Sequence, residues 1–142
     1  MGSRTGTLWI TWVVMAGLLA LVSAVPSILA APADPYGSAG VSVLAFVLTL
    51  FAMTAGVGSL AVREALVRDV AGGMVDPEGA EGWTRVIRGF VGTWVLCVVV
   101  AGLGAILAWA SARPALGAPY LLAATALLAF HTPRANAFRR RW

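Results

Sequence analysis

Four stretches of this chain, residues 8–30, 41–62, 89–112 and 115–130, contain no Asp, Glu, Arg or His. As helices rising about 1.5 Å per residue, the first three are about 33–36 Å long and exceed the roughly 30 Å hydrocarbon thickness of a bilayer. The fourth reaches only about 24 Å, so it must thin the bilayer, snorkel its flanks or lean on its neighbours. A lipid-facing backbone has to satisfy its own hydrogen bonds, which makes the helix the natural reading of each run. A chain that is 60% hydrophobic and 11% charged agrees. The expected fold is all-α: an integral membrane four-helix bundle of antiparallel up-down topology. Residues 1–142 form a single membrane domain, because the segments between the runs are too short to hold a second core.

Arginine sets the expected orientation. All ten basic residues are Arg, and Arg113 alone falls on the side opposite the other nine. Basic residues in short loops stay cytoplasmic. Both termini and the hairpin loop 63–88 are therefore read as cytoplasmic, in what we take to be a bacterial cytoplasmic (inner) membrane. Trp9, Trp12, Trp83, Phe138 and Trp142 then flank the inner interface, and Tyr36, Trp109 and Tyr120 the outer one. A competing reading makes the first run a cleaved secretory signal ending near Ala31-Pro32-Ala33, which would leave three spans. Its apolar run is longer than the 7–15 residues of an ordinary signal core.

The second helix is expected to continue past the membrane to Val70, with Glu64 and Arg68 paired one turn apart, and to stop at Gly72-Gly73. Asp76-Pro77-Glu78 reads as the next helix start, with Asp as N-cap and Pro in the first helical position. The loop carries four Arg and five carboxylates; we read it as a solvated hairpin tip, with partner docking as the alternative.

Within the spans, small residues recur at alternating steps of three and four. They are Gly17, Ala20, Ala24 and Ser27 in the first span, and Ser42, Ala45, Thr49, Ala52, Gly56 and Ser59 in the second. Cys97, Ala101, Gly104 and Ala108 follow in the third, opposite a branched face of Val91, Val95, Val98, Val99 and Ile106. A 3.5-residue repeat keeps one seam toward a neighbour, and small side chains let backbones approach in lipid. These residues are the expected helix-packing seam.

The chemistry on offer is sparse. With no ionisable group inside any run, proton pumping, ion-coupled transport and voltage sensing are disfavoured. One His and one Cys cannot make a bis-histidine haem, a structural zinc site or a disulfide, so no cofactor, metal or catalytic residue is expected. His131 is read as a solvated helix-end residue and Cys97 as a packing residue. Thr11, Thr49, Thr54, Thr93 and Thr125 are expected to bond carbonyls of their own helices. The tail Arg139, Arg140, Arg141 and Trp142 reads as a lipid-headgroup anchor for anionic inner-leaflet lipids. Nucleic-acid binding has no fold to carry it.

Gly56-Val57-Gly58, Pro77-Glu78 and Gly102 give the hairpin 55–106 a faint look of the two-helix proteolipid c subunit of rotary ATP synthases. That family carries its ion on a carboxylate in the second helix, whereas Trp94 to Val98 here are uncharged, and the likeness is not adopted. The leading expectation is a non-enzymatic structural or accessory subunit that packs against a membrane-protein partner or forms a homo-oligomer. The alternative is a small carrier or permease for an apolar or lipid-like molecule. A closed bundle without a cavity favours the first; an apolar cleft open to the bilayer and lined by Thr49, Thr93 or Cys97 favours the second.

Overall fold

The computed structural model describes residues 2–29 and 37–133. Among them are four helices and no strand: α1 Gly2–Ile28, α2 Gly37–Ala71, α3 Ala80–Ala110 and α4 Pro114–Phe130. The first three are long and apolar enough to cross a membrane, and α4 is shorter. The tail holding Arg139, Arg140, Arg141 and Trp142, and the aromatic residue Tyr36, lie outside the described residues.

Helix ends follow local chemistry. α2 runs past the apolar stretch to Ala71, with Arg68 and Glu64 paired at 2.8 Å on an exposed face. It stops where Gly73 turns to a φ of 74°, and the Met74 N–H reaches back to the Asp69 carbonyl at 3.0 Å. The start of α3 differs from expectation. Asp76 does not cap it; its carboxylate accepts from the Glu78 N–H at 3.0 Å, folding 76–79 into a turn, and Gly79 becomes the N-cap. Asp prefers this local bond when the chain must turn before the helix, so α3 begins at Ala80. Gly82 in its first turn lies so close to the Asp76 carbonyl that a β-carbon there would collide with it. Nor is the loop merely a solvated tip: Val70, Val75 and Val86 are buried in the same apolar core that runs through the bundle. At the far end three residues connect α3 to α4, with Ala112 at a φ of 52° and Pro114 opening the helix.

Contacts give the relative direction of the last three helices. Gly58 faces Leu96 and Gly89 faces Leu66, so α2 and α3 run antiparallel. Gly104 faces Tyr120 and Trp94 meets His131, so α3 and α4 do too. The packing scheme is less regular than a closed bundle. α3 is the hub on which α1, α2 and α4 all rest, whereas α1 and α2 make almost no contact. Half of the most apolar window of α3 is buried, against 11% for α1 and for α2. Small side chains explain the choice of hub: Ala101, Gly104, Ala105, Ala108 and Cys97 keep α3 narrow, so three helices can approach it.

Candidate functional site: a lateral groove above a buried polar knot

α4 is drawn tightly onto α3 at one point. Gly117 and Gly104 face each other across the crossing; a β-carbon on Gly117 would lie 2.5 Å from the Gly104 carbonyl oxygen, and one on Gly104 would lie 2.5 Å from Cβ of Tyr120. α2 packs on another side of α3. α2 and α4 thus run parallel on a shared support, their backbones apart and their side chains meeting at the two ends. The gap between them is a groove of about 520 Å³, open on one side. That volume falls within the range of small-molecule sites.

The groove's walls repeat at helical spacing. Thr49, Met53, Gly56 and Leu60 line the α2 side, Tyr120, Ala123 and Leu127 the α4 side, and Val100 of α3 is in the floor. Its lining is almost entirely apolar. At one end the Thr49 hydroxyl, which donates to the Ala45 carbonyl at 2.7 Å, meets the Tyr120 hydroxyl at 2.6 Å. Tyr120 therefore donates to Thr49, with the Ala45 carbonyl a second acceptor at 3.3 Å. At the other end both walls advance one turn and meet again, where the Arg63 guanidinium lies 4.6 Å from the centre of the Phe130 ring.

Beneath the Arg63 end lies a buried polar knot. His131, Ser59 and Thr93 are fully or almost fully buried. Ser59 Oγ donates to the Gly56 carbonyl at 2.7 Å and shares a hydrogen bond with His131 Nε2 at 3.2 Å. His131 Nδ1 is buried and has no partner among the described residues. Two tryptophans complete the end of α4: Trp94 Nε1 donates to the His131 carbonyl at 3.1 Å and Trp12 Nε1 to the Leu128 carbonyl at 3.2 Å. Carbonyls in the last turn of a helix lack intrahelical donors, and α1 and α3 supply them here. His131, expected to be solvated, is instead a buried joint between α2, α3 and α4. Burial, reinforced by the Arg63 charge, pushes its imidazole down to about 4, so it is neutral near pH 7.

The small-residue seam is realised unevenly. Cys97, Ala101, Gly104 and Ala108 are all buried in the heart of the bundle, and Cys97 Sγ donates to the Thr93 carbonyl at 3.3 Å. On α2, Ala52 and Ser59 are buried, Ala45 and Gly56 half-buried, and Ser42 and Thr49 exposed. Gly56 is not a tight crossing; a β-carbon there would meet Leu127 at an ordinary 3.6 Å. On α1, Gly17, Ala20 and Ser27 face outward and Ala24 is half-buried, while Leu8 and Leu19 carry the contact with the core. Thr11, Thr49, Thr54, Thr93 and Thr125 each bond the carbonyl four residues back, as expected.

Sequence reasoning missed Gly117, Trp94 and the partnership of Arg63 with Phe130. The spacing Phe130 minus Leu127 and Arg63 minus Leu60, each one helical turn beyond an apolar residue, was the available signal. Among the described residues no three His, Cys, Asp or Glu come together as a metal site. Comparison with known protein families, curated proteins and solved structures returns no match.

Proposed function

We propose that this is a non-catalytic multi-pass protein of the bacterial cytoplasmic membrane whose lateral groove between α2 and α4 binds an apolar or lipid-like molecule, as a small carrier or lipid-binding module. The single observation that carries this reading is the groove itself: about 520 Å³, apolar, open to the side and lined by Thr49. A membrane protein that only fills space between partners has no need of a walled cleft that its own helices leave unfilled. The polar groups around it are occupied with one another, which leaves no convergent acid, base or nucleophile facing the groove. The one-sided Arg distribution supports insertion with the loop and both termini cytoplasmic.

The test is native mass spectrometry of the full chain extracted in mild detergent. A retained apolar or lipid-like adduct is expected in the wild type and is expected to be lost in Ala123→Phe, which fills the groove. A chain that carries no such adduct argues against this reading.

A second reading, an accessory subunit held by a membrane-protein partner or by its own copies, draws on α1. Gly17, Ala20 and Ser27 face outward, and a β-carbon on Gly17 would meet nothing within 4 Å. Recovery of a defined hetero-complex from the same extraction supports that reading.

A further inference from the structure

We propose that the groove between α2 and α4 holds one acyl chain of an anionic phospholipid, and that Arg63 binds the phosphate of its headgroup. This rests on the groove-binding reading above and names the occupant.

Three observations converge. The first is length. Leu60 and Thr49 mark the ends of the apolar wall, eleven residues apart, which corresponds to about 16 Å along the helix. Half of a bilayer's hydrocarbon core is about 15 Å. The groove therefore spans one leaflet, the depth an acyl chain occupies when its headgroup sits at the Arg63 end. The second is polarity. The hydroxyls at the deep end, Thr49 and Tyr120, spend their protons on each other and on the Ala45 carbonyl. An occupant needs no polar group along its length, which describes a hydrocarbon chain and excludes a sugar or peptide.

The third is charge. Arg63 lies one turn beyond Leu60, where the two walls converge, and its guanidinium carbon lies 4.6 Å from the centre of the Phe130 ring. A guanidinium offers five N–H donors in a planar fork that matches an oxyanion. Among the described residues Arg63 has no carboxylate partner; the adjacent Glu64 is held by Arg68 at 2.8 Å. A half-buried cation at the mouth of an apolar groove is matched by a headgroup with a net negative charge, bound through charge-assisted hydrogen bonds. A zwitterionic headgroup brings its own cation and leaves Arg63 less well compensated.

The full chain, purified in mild detergent and stripped of lipid, is titrated with phosphatidylglycerol or phosphatidylcholine of identical chains and read by native mass spectrometry. One phosphatidylglycerol per chain is expected, held roughly tenfold more tightly than phosphatidylcholine. Arg63→Gln is expected to bring the two lipids to equal affinity, and Arg63→Lys to keep most of the preference. Ala123→Phe and, independently, Met53→Trp fill the groove and are expected to lose both lipids. Helical circular dichroism and the melting temperature of each variant establish that it is folded. In the triple variant Arg139→Gln, Arg140→Gln, Arg141→Gln, the single tight lipid is expected to persist, which separates the groove from headgroup attraction to the tail.

Equal affinity for the two lipids in the wild type, or a preference that survives Arg63→Gln, overturns the headgroup assignment while leaving a groove that takes an apolar ligand. Undiminished retention of both lipids in the two folded groove-filling variants overturns the groove reading itself.

Discussion

Adding one methyl group at Gly117 tests whether the α3–α4 crossing organises the molecule. In Gly117→Ala the new carbon would lie 2.5 Å from the Gly104 carbonyl oxygen and 2.9 Å from Cβ of Ala108. Comfortable carbon contacts begin at about 3.5 Å, so the two backbones must part by about 1 Å. A gap of that size forfeits a quarter to a half of each dispersion contact along the seam, and overpacking of this kind costs about 1–3 kcal/mol. Alanine's better helix propensity returns up to about 1 kcal/mol. The net expectation is a loss of about 0.5–2 kcal/mol.

Gly92 and Gly102 provide internal controls on α3, because a β-carbon at either meets nothing within 4 Å. Gly92→Ala and Gly102→Ala are expected to be neutral or to gain up to about 1 kcal/mol from propensity alone. The assay is reversible unfolding in mixed micelles of rising sodium dodecyl sulfate content, followed by tryptophan fluorescence and helical circular dichroism. A Gly117→Ala protein as stable as Gly102→Ala would refute the close-approach reasoning. In that case the α2–α4 groove, which exists because α4 is pinned to α3, would lose its structural explanation.

Three further outcomes are expected. Trp94→Ala removes a fully buried indole and the donor to the His131 carbonyl, and is expected to cost about 3–5 kcal/mol in the same unfolding assay; a cost under about 1 kcal/mol contradicts the core placement. Ala112→Gly relieves a φ of 52° in the α3–α4 turn and is expected to stabilise by about 0.5–1 kcal/mol after the unfolded chain's gain in freedom is subtracted. Acid should weaken the fold through His131. Its folded pKa of about 4 lies below the ordinary value near 6.5, so between those values the unfolded chain binds more protons and stability falls as pH falls. His131→Phe should flatten the unfolding midpoint between pH 6.5 and pH 4, and an unchanged pH profile in that variant sinks the assignment.

Much of the architecture was legible from residue types. Three uncharged runs longer than a bilayer is thick, and a fourth that is shorter, have few ways to satisfy their backbones in lipid, so the number and approximate place of the helices could be read directly. Local bonds were equally readable: the threonines bond four residues back, Glu64 meets Arg68, and Gly73 ends α2, because each depends only on neighbours within a turn. On α3 the small residues Cys97, Ala101, Gly104 and Ala108 are buried, beside the large side chains of Phe90 and Trp94. Where Asp76 had two local options, cap or turn, the sequence alone favoured the wrong one, because the choice depends on how Gly82 fits against the loop.

The sequence by itself determined that this chain builds four helices, three of them long and apolar enough to cross a membrane, and roughly where each one lies. Tertiary structure alone decided that α3 is the hub, that the small face of α1 points away from it, and that α2 and α4 stand apart over Val100. The physical reason is that lipid is as apolar as the helices' own side chains, so hydrophobicity does not rank one face above another. Shape complementarity ranks them instead, and it is a property of pairs: Gly104 with Gly117, Trp94 with His131, Arg63 with Phe130. No single helix carries that information, and the groove is what remains between two helices after each has found its better fit on the third.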